Sequence, residues 1–425
     1  MSRDRVAIVA CLRTPFAKAW SSLNGLSAVE LSTQLSRELL FRHDIKPEHI
    51  DQMIWGTVIA VPSAPNIARE VALNLGMYRV PGYSVTRACA TGLQVVANAA
   101  EAIWAGAADV VVAGGVDVTS DTPVPHRKSV IDTLNQAQRA KGMDLLRTLA
   151  QINPKDLLPK PPSLTERYTG KTMGEHAEEM AQNFNIERKA QEVYSIQSHE
   201  KAAAAVSDGH IGKLTMTVRH KDGRLVDSDN LIRPSMNPEK IAKLRPVFDR
   251  KNGTITAATS SPLTDGAAAV VVMRESRAKE LGFTPLAYVR SYAFPALDPR
   301  ENMLLGNVYA CPEALKKAGC SMDDIDLLEI HEAFAAQVLS NLHCFDSDSF
   351  FKEKLPEYNP LGSVADSQIN LWGGSMAYGH PFAATGGRMI AQVIAGMQHT
   401  DKNLALVTAC AAGGLGSAMV LERAS

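Results

Sequence analysis

Four residues set in small-residue turns carry the side chains needed for nucleophilic and proton-transfer chemistry. They are Cys89 in RACATG, His331 in EIHEAF, His380 in GGSMAYGHPFAATGG and Cys410 in ACAAGGLG. A free thiol with a pKa of about 8.5 is only a few per cent thiolate near neutrality, so a cysteine nucleophile needs a base or an electropositive neighbour. Cys89 stands just before a predicted helix, whose positive end makes a thiol more acidic, and an adjacent imidazole does so further. His380 is the natural helper, and Cys410 is a second thiol able to move protons. Packing is the competing reading. Free cysteines are often inert core residues, and a lone His in Gly-His-Pro equally well caps a turn. The six cysteines, Cys11, Cys89, Cys311, Cys320, Cys344 and Cys410, include no Cys-x-x-Cys pair and no His at ligand spacing. Neither a metal site nor a disulfide framework is expected from that spacing.

The elements that must position these turns are duplicated. LLFRHDIKPEHIDQMIWG (39–56) and ALKKAGCSMDDIDLLEIHE (314–332) share one grammar: helix end, turn, Ile-Asp, apolar strand. RACATGLQVVANAAEAIWAGAADVVVAGG matches GHPFAATGGRMIAQVIAGMQHTDKNLALVTACAAGG as turn, Ala-Thr-Gly, helix, loop, strand and glycine pair. TDGAAAVVVM and GLGSAMVLE then close the two copies. The strands are continuous apolar runs, as expected when helices cover both faces. Leu93, Val96, Ala100 and Ile103, and likewise Met389, Ile390, Val393 and Met397, recur at helical spacing. Each half therefore reads as a layered α/β unit, and open α/β sheets present ligands at strand ends of this kind.

The first copy is interrupted. Residues Thr119 to about Lys251 are rich in Lys, Arg, Pro and Gln, with NPKDLLPKPPS (153–163) as a loop and TMGEHAEEMAQNF and RKAQEVYSIQSHEKAAAA as surface helices. The expected division is 1–118 plus 252–283 for the first half, 119–251 for an inserted lobe and 284–425 for the second half. Within the lobe, SVIDTLNQAQRAKGMDLLRTLAQI (129–152) places Leu145, Leu146, Leu149 and Ile152 on one face beside Arg127, Lys128, Arg139, Lys141 and Arg147. Such a face packs on its own lobe, docks a partner subunit or lies on a membrane surface.

Bulk composition sets the outer limits. The chain has 425 residues, 45% hydrophobic and 21% charged, with a formal net charge of −1, which is ordinary globular protein with no electrostatic footprint for nucleic acid. Any phosphorylated ligand must find local charge. MSRDRVAIVACLRTPF does not match a secretory signal, and no apolar run approaches the roughly 18 residues of a transmembrane span. A cytoplasmic protein without a transmembrane segment is expected.

RACATGLQ, GGVDVTS, GTITAATSSPLTDGAAAVVV, HEAFAAQ, GGSMAYGHPFAATGGR and CAAGGLGSAMVLE, in this order over essentially the whole chain, resemble the thiolases. Within that family, the His of HEAF in place of the commoner Asn, and the basic amphipathic segment, resemble the β-subunits of bacterial fatty acid oxidation complexes and of the mitochondrial trifunctional protein. The resemblance implies an α/β thiolase fold of two βαβαβαββ halves in a five-layer α-β-α-β-α core, with an inserted loop lobe in the first half. It implies thiolytic cleavage of 3-ketoacyl-CoA by CoA, in fatty acid β-oxidation, with CoA as co-substrate and no permanently bound cofactor.

The resemblance also assigns roles. Cys89 attacks the ketone and becomes the acyl-enzyme, His380 takes its proton, and Cys410 protonates the departing carbanion and then deprotonates CoA. His331 holds a water at the enolate oxygen, and the backbone N–H groups of Cys89 and Ala412 form the second oxyanion hole. Ala412 stands where Gly is usual, so its turn must tolerate a Cβ. Ser261, Met173, Ala333 and Phe334 match residues along the pantetheine arm and thioester. A homodimer, and a hetero-oligomer with a hydratase/3-hydroxyacyl-CoA dehydrogenase α-subunit, are the implied partners. A ketosynthase would lack the second cysteine. A condensing acetoacetyl-CoA thiolase and a non-catalytic acyl-CoA-binding scaffold are the remaining alternatives.

Overall fold

The computed structural model describes residues 4–158 and 165–424. The first half runs β1 (Val6–Arg13), α1 (Ala28–Arg42), β2 (Gln52–Gly56), α2 (Ile67–Asn74), β3 (Gly82–Val85), α3 (Thr91–Trp104) and β4 (Val110–Val118). An excursion follows with α4 (Lys128–Ala137), α5 (Met143–Leu149), α6 (Met173–Asn183), α7 (Arg188–Ser207) and α8 (Pro238–Ala242). The chain returns in β5 (Thr264–Arg274) and α9 (Glu275–Glu280). The second half is β6 (Ala287–Ala293), α10 (Gly306–Ala318), β7 (Leu327–Ile330), α11 (Ala335–Phe345), α12 (Asp348–Lys354), α13 (Ser375–Tyr378), α14 (Ala383–Thr400), β8 (Leu404–Ala411) and β9 (Leu415–Arg423).

The strands pair in the order β7-β8-β9-β6-β1-β5-β4-β2-β3. In the first half β3, β2 and β4 are parallel while β5 and β1 run antiparallel. The second half repeats this with β7 parallel to β8, and β9 and β6 antiparallel. A parallel bridge from Leu328 to Ile369 stands where β3 stands in the first copy. The two halves meet through a short antiparallel contact, Ala7 with Tyr288 and Ile8 with Ala287.

Aspartates at matching places show the duplication at atomic level. Asp51 accepts from the N–H groups of Asp109 and Val110 at 2.8 and 2.9 Å, and Asp326 accepts from those of Asn403 and Leu404 at 2.9 and 3.0 Å. Each Ile-Asp pair of the sequence thus pins the start of the neighbouring strand.

Three cores fill the layers. Leu31, Leu35 and Val71 of α1 and α2 pack on Val112 and Val271. Leu93 and Val96 of α3, with Met389, Ile390 and Val393 of α14, fill the space between Val111 and Val272 on one side and Val407 and Met419 on the other. Ala314 and Leu315 of α10 and Val338 of α11 cover Leu406 and Val420. The order is helices, sheet, central helix pair, sheet, helices. Continuous burial along β4 and β5 is the expected outcome for strands covered on both faces.

The excursion is tied to this frame by polar anchors as well as packing. Arg13, at the end of β1, makes a bidentate ion pair with Asp229, both bonds 2.7 Å and both side chains buried. Helices α6 and α7 pack on α11 and α13. The amphipathic stretch at 129–152 is two helices rather than one, because the chain breaks at Gly142 with φ +56°. Leu146 and Leu149 are exposed, as are Ile131, Leu134 and Met143, whereas Leu145 and Ile152 are half-buried. The predicted loop at 153–163 contains a 3-10 turn over Pro154–Leu157, and residues 159–163 lie outside the described residues.

Central helices α3 and α14 touch backbone to backbone. A Cβ placed on Gly386 would stand 2.6 Å from the Gly92 carbonyl carbon and from the Leu93 nitrogen. Gly386→Ala is therefore expected to lower the unfolding free energy by about 1–3 kcal/mol, the usual cost of overpacking, as read from a urea denaturation curve.

Candidate active site

Cys89 sits on a sharp turn from strand to helix. Ala88 carries φ +46°, a left-handed conformation that is unfavourable for a residue with a Cβ. Thr91 holds the turn, accepting from the Arg87 N–H at 2.7 Å and donating to the Ala88 carbonyl at 2.6 Å. The contact between Gly92 and Gly386 then brings the start of α3 against the start of α14, and with it Cys89 against the segment that carries His380.

His380 follows Gly379, whose φ of +91° and close approach to Thr264 leave no room for a side chain. Its N–H donates to Thr264 Oγ1 at 3.1 Å, and its Nδ1 is hydrogen-bonded to Thr385 Oγ1 at 2.7 Å. His331 ends β7, where its N–H donates to the Thr408 carbonyl at 2.9 Å and its Nδ1 is hydrogen-bonded to Ser375 Oγ at 2.9 Å. Ser375 in turn accepts from Arg388 at 3.1 Å, and Arg388 is paired with Glu329 at 2.6 Å. The two imidazoles lie 4.0 Å apart between centroids at 39°. Each has a buried Nε2 without a hydrogen-bond partner. One nitrogen from each ring and Cys89 Sγ all fall within 4.8 Å of one another.

Cys410 is buried in β8 opposite Gly416, near enough to Cys89 that charge on the first thiol disfavours charge on the second. The backbone N–H groups of Ala412 and of Cys89 itself lie near the Cys89 sulfur and act to lower its pKa. They are the same two groups that the resemblance implies as donors to an oxyanion. Ala412 tolerates its Cβ because the left-handed residues of this turn are the next two, Gly413 at φ +82° and Gly414 at φ +69°.

The electrostatics differ from the sequence expectation in one respect. Helix position and a neighbouring imidazole favour a more acidic Cys89, whereas burial pushes the thiol up to about 12 against the two backbone N–H groups. Both neighbouring imidazoles are neutral, so neither supplies the positive charge that would lower it. Burial, with the charge of Arg388 second, holds His380 down at about 3. His331 is held well below its ordinary value by burial, then by His380 and Arg388. Burial also raises Cys410. The resting site is therefore two thiols and two neutral rings.

The other expected site residues form a second group. Ser261 donates its N–H to the Ala333 carbonyl at 3.0 Å, and Ser260 bridges to Phe334. The Phe334 ring meets Phe248 edge-on at 5.8 Å. Met173, the first residue of α6, packs in the same cluster as Ala333, Phe334 and Phe248. This strip joins the excursion directly to the His331 strand end.

Sequence reasoning missed the residues that hold the site residues in place. Asp117 accepts from the N–H groups of Val58, Ile59 and Ala383 at 2.9, 2.7 and 2.8 Å, and burial raises it to about 7. Glu332 accepts from Tyr194 (3.0 Å), Ser198 (2.8 Å), Asn370 (2.6 Å) and the Met376 N–H (2.9 Å). Thr385, Ser375 and Arg388 complete the set. Acidic residues inside apolar runs, one in VVVAGGVDV and two in LLEIHEAF, were the available signal, since a buried carboxylate must find donors.

Two family models cover the chain, "Thiolase, N-terminal domain" over residues 6–276 and "Thiolase, C-terminal domain" over 283–423. The chain belongs to the thiolase family. It is 47% identical over 422 residues to a 3-ketoacyl-CoA thiolase of Colwellia psychrerythraea, covering 99% of this chain and 97% of that one. With a 3-ketoacyl-CoA thiolase of Escherichia coli K12 it is 48% identical over 423 residues, at the same coverage. Among solved structures, human mitochondrial 3-ketoacyl-CoA thiolase superposes with a TM-score of 0.85 at 29% identity, covering 100% of both chains. The acetyl-CoA acetyltransferase of Bacillus anthracis gives 0.83 at 30% identity, covering 99% of both. Duplicated halves around a central helix pair are thus the thiolase fold, and the chain is an acyltransferase of that family.

Neutral, buried imidazoles couple this thiolase site to stability. Both rings titrate below their ordinary 6.5 when folded, so between that value and about 3 the unfolded chain binds protons that the folded chain does not. The stability they contribute is complete above pH 6.5 and is lost as pH falls towards 3. Urea denaturation at pH 7, 5.5 and 4.5 should show falling stability, with a shallower fall in His331→Asn.

Proposed function

We propose that the chain is a 3-ketoacyl-CoA thiolase of fatty acid β-oxidation, cleaving its substrate with CoA into acetyl-CoA and an acyl-CoA two carbons shorter. The observation that carries this reading is the convergence of Cys89 on the paired His331 and His380, with Cys410 close enough to Cys89 to feel its charge. Full-length similarity to proteins named 3-ketoacyl-CoA thiolase supports the substrate class.

The chemistry follows from a neutral resting site. Cys89 Sγ bonds to the C3 carbonyl carbon as its proton passes to His380 Nε2. With a thiol near 12 and an imidazole near 3, that proton leaves as the S–C bond forms and not before. The tetrahedral oxyanion is met by the N–H groups of Cys89 and Ala412. Collapse restores the carbonyl as the C2–C3 bond breaks, and the electron pair on C2 takes the Cys410 proton to release acetyl-CoA. His380 and a water held by His331 stabilise the intervening enolate. Cys410 thiolate then removes the proton of CoA, whose sulfur displaces the acyl group from Cys89, and His380 returns its proton to that thiolate.

CoA enters as co-substrate along Ser261, Met173, Ala333 and Phe334, with Lys and Arg of the excursion near its phosphates. The domain boundaries that fit this division of labour are 1–118 plus 252–283, 119–251 and 284–425. A homodimer fits the edge strand β3, which pairs on one side with β2, carries the exposed Tyr83 and follows the exposed Tyr78. The exposed apolar faces of α4 and α5 fit docking of a hydratase/3-hydroxyacyl-CoA dehydrogenase α-subunit. A cytoplasmic location accords with the lack, among the described residues, of a helix long and apolar enough to cross a membrane.

Cys89→Ala should abolish the acyl-enzyme seen as a mass increase on the intact protein. Cys410→Ala should slow thiolysis by about 10²–10⁴ while Cys89 still accepts an acyl group; wild-type turnover in this variant would remove its acid/base role. Steady-state rates over 3-ketoacyl-CoA substrates of four to sixteen carbons distinguish β-oxidation from acetoacetyl-CoA chemistry, which predicts activity confined to the shortest substrate.

A further inference from the structure

The pair of imidazoles beside Cys89 has the construction of a metal site. Each ring is fixed through Nδ1 by a hydroxyl, Ser375 for His331 and Thr385 for His380, in the manner of the outer partners that orient metal-ligating histidines. This leaves each buried Nε2 as the nitrogen without a partner. One nitrogen of each ring and Cys89 Sγ lie within 4.8 Å of one another, so the three side chains supply one thiolate and two imidazoles, a donor set that suits Zn2+. His331 makes the difference, because without its imidazole only Cys89 and His380 would remain as donors of this kind.

We propose that Cys89, His331 and His380 bind Zn2+, or a cation of the same borderline softness, in competition with acylation of Cys89. On binding, the Cys89 S–H bond breaks, its proton goes to solvent, a Zn–S bond forms and the two ring lone pairs form Zn–N bonds. No electron is transferred. Tetrahedral bonds of about 2.3 Å to sulfur and 2.0 Å to nitrogen place the donors roughly 3.3–3.6 Å apart. From its 4.8 Å limit the triangle must tighten by at most about 1.5 Å, within reach of side-chain rotation at the half-buried Cys89. Cys410 or a water completes the fourth position. The metal is an inhibitor and not a resident cofactor, since it occupies the sulfur that accepts the acyl group. Inhibition rests on the acyl-Cys89 reading; binding does not.

Titrating Co2+ into the chelator-treated, full-length protein should give a sulfur-to-metal charge-transfer band that saturates at one equivalent. Zn2+ added first should suppress the band and shield Cys89 from iodoacetamide, followed on the Cys89 peptide by mass spectrometry. Cys89→Ser should lose the band. His331→Asn should weaken Zn2+ at least tenfold, measured by competition with a chromophoric chelator, with circular dichroism confirming that both variants fold. Zn2+ affinity unchanged in both variants would place the metal elsewhere and overturn the proposal, as would the lack of any charge-transfer band in wild-type protein. Zn2+ bound at Cys89 with undiminished thiolysis would leave the metal site standing and count against the acyl-Cys89 reading.

Discussion

Everything in the site depends on how closely α3 and α14 approach. The same Ala-Thr-Gly occurs at the start of both helices, and the two glycines, Gly92 and Gly386, meet where the helices cross. Removing two side chains at one crossing lets the backbones touch, which sets the spacing between the turns just before each helix. One turn carries the nucleophile and the other its base. Threonines of the duplicated motif do parallel work: Thr91 ties the Cys89 turn together, and Thr385 orients the His380 ring. A duplicated sequence therefore yields an asymmetric pair of functions from one local geometry.

The second governing fact is dryness. Four titratable groups are gathered in one enclosed place, and desolvation disfavours the charged form of each. A preformed thiolate–imidazolium pair would require two charges in a low-dielectric pocket, and desolvation outweighs what their attraction returns. Full charges appear nearby only where they are matched. The terminal nitrogens of Arg388 donate to Glu329, Gln392 and Ser375, and Glu332 accepts from four donors. This arrangement keeps His331 and His380 as hydrogen-bonding groups across a wide pH range, which an isolated surface imidazole is not.

Much of the fold was legible in the sequence because duplication reveals itself twice. Ile50-Asp51 and Ile325-Asp326 mark the same strand start, and the apolar runs at Val110–Val118 and Leu404–Ala411 needed no alternation to be read as buried strands. Cys89, His380 and Cys410 could be singled out because reactive side chains in glycine- and alanine-rich turns are conspicuous. What the sequence withheld was tertiary. The cysteine and histidines that could share a metal are 242 and 49 residues apart along the chain, so ligand spacing was silent about them. The acidity of Cys89 was misjudged because helix position is visible in sequence whereas burial is not. The amphipathic stretch at 129–152 was read as continuous because its period survives the break, and only the left-handed Gly142 shows where one helix becomes two.

Glu332 belongs to two parts of the molecule at once. Its carboxylate is shared between Tyr194 and Ser198 on the long helix of the excursion and Asn370 and Met376 beside the reactive turns. The excursion cannot therefore be treated as an interchangeable cap. Grafting a lobe from a relative to alter chain-length selectivity would have to transplant a matching tyrosine and serine. Otherwise the graft would take two of four donors from a buried carboxylate one residue from His331.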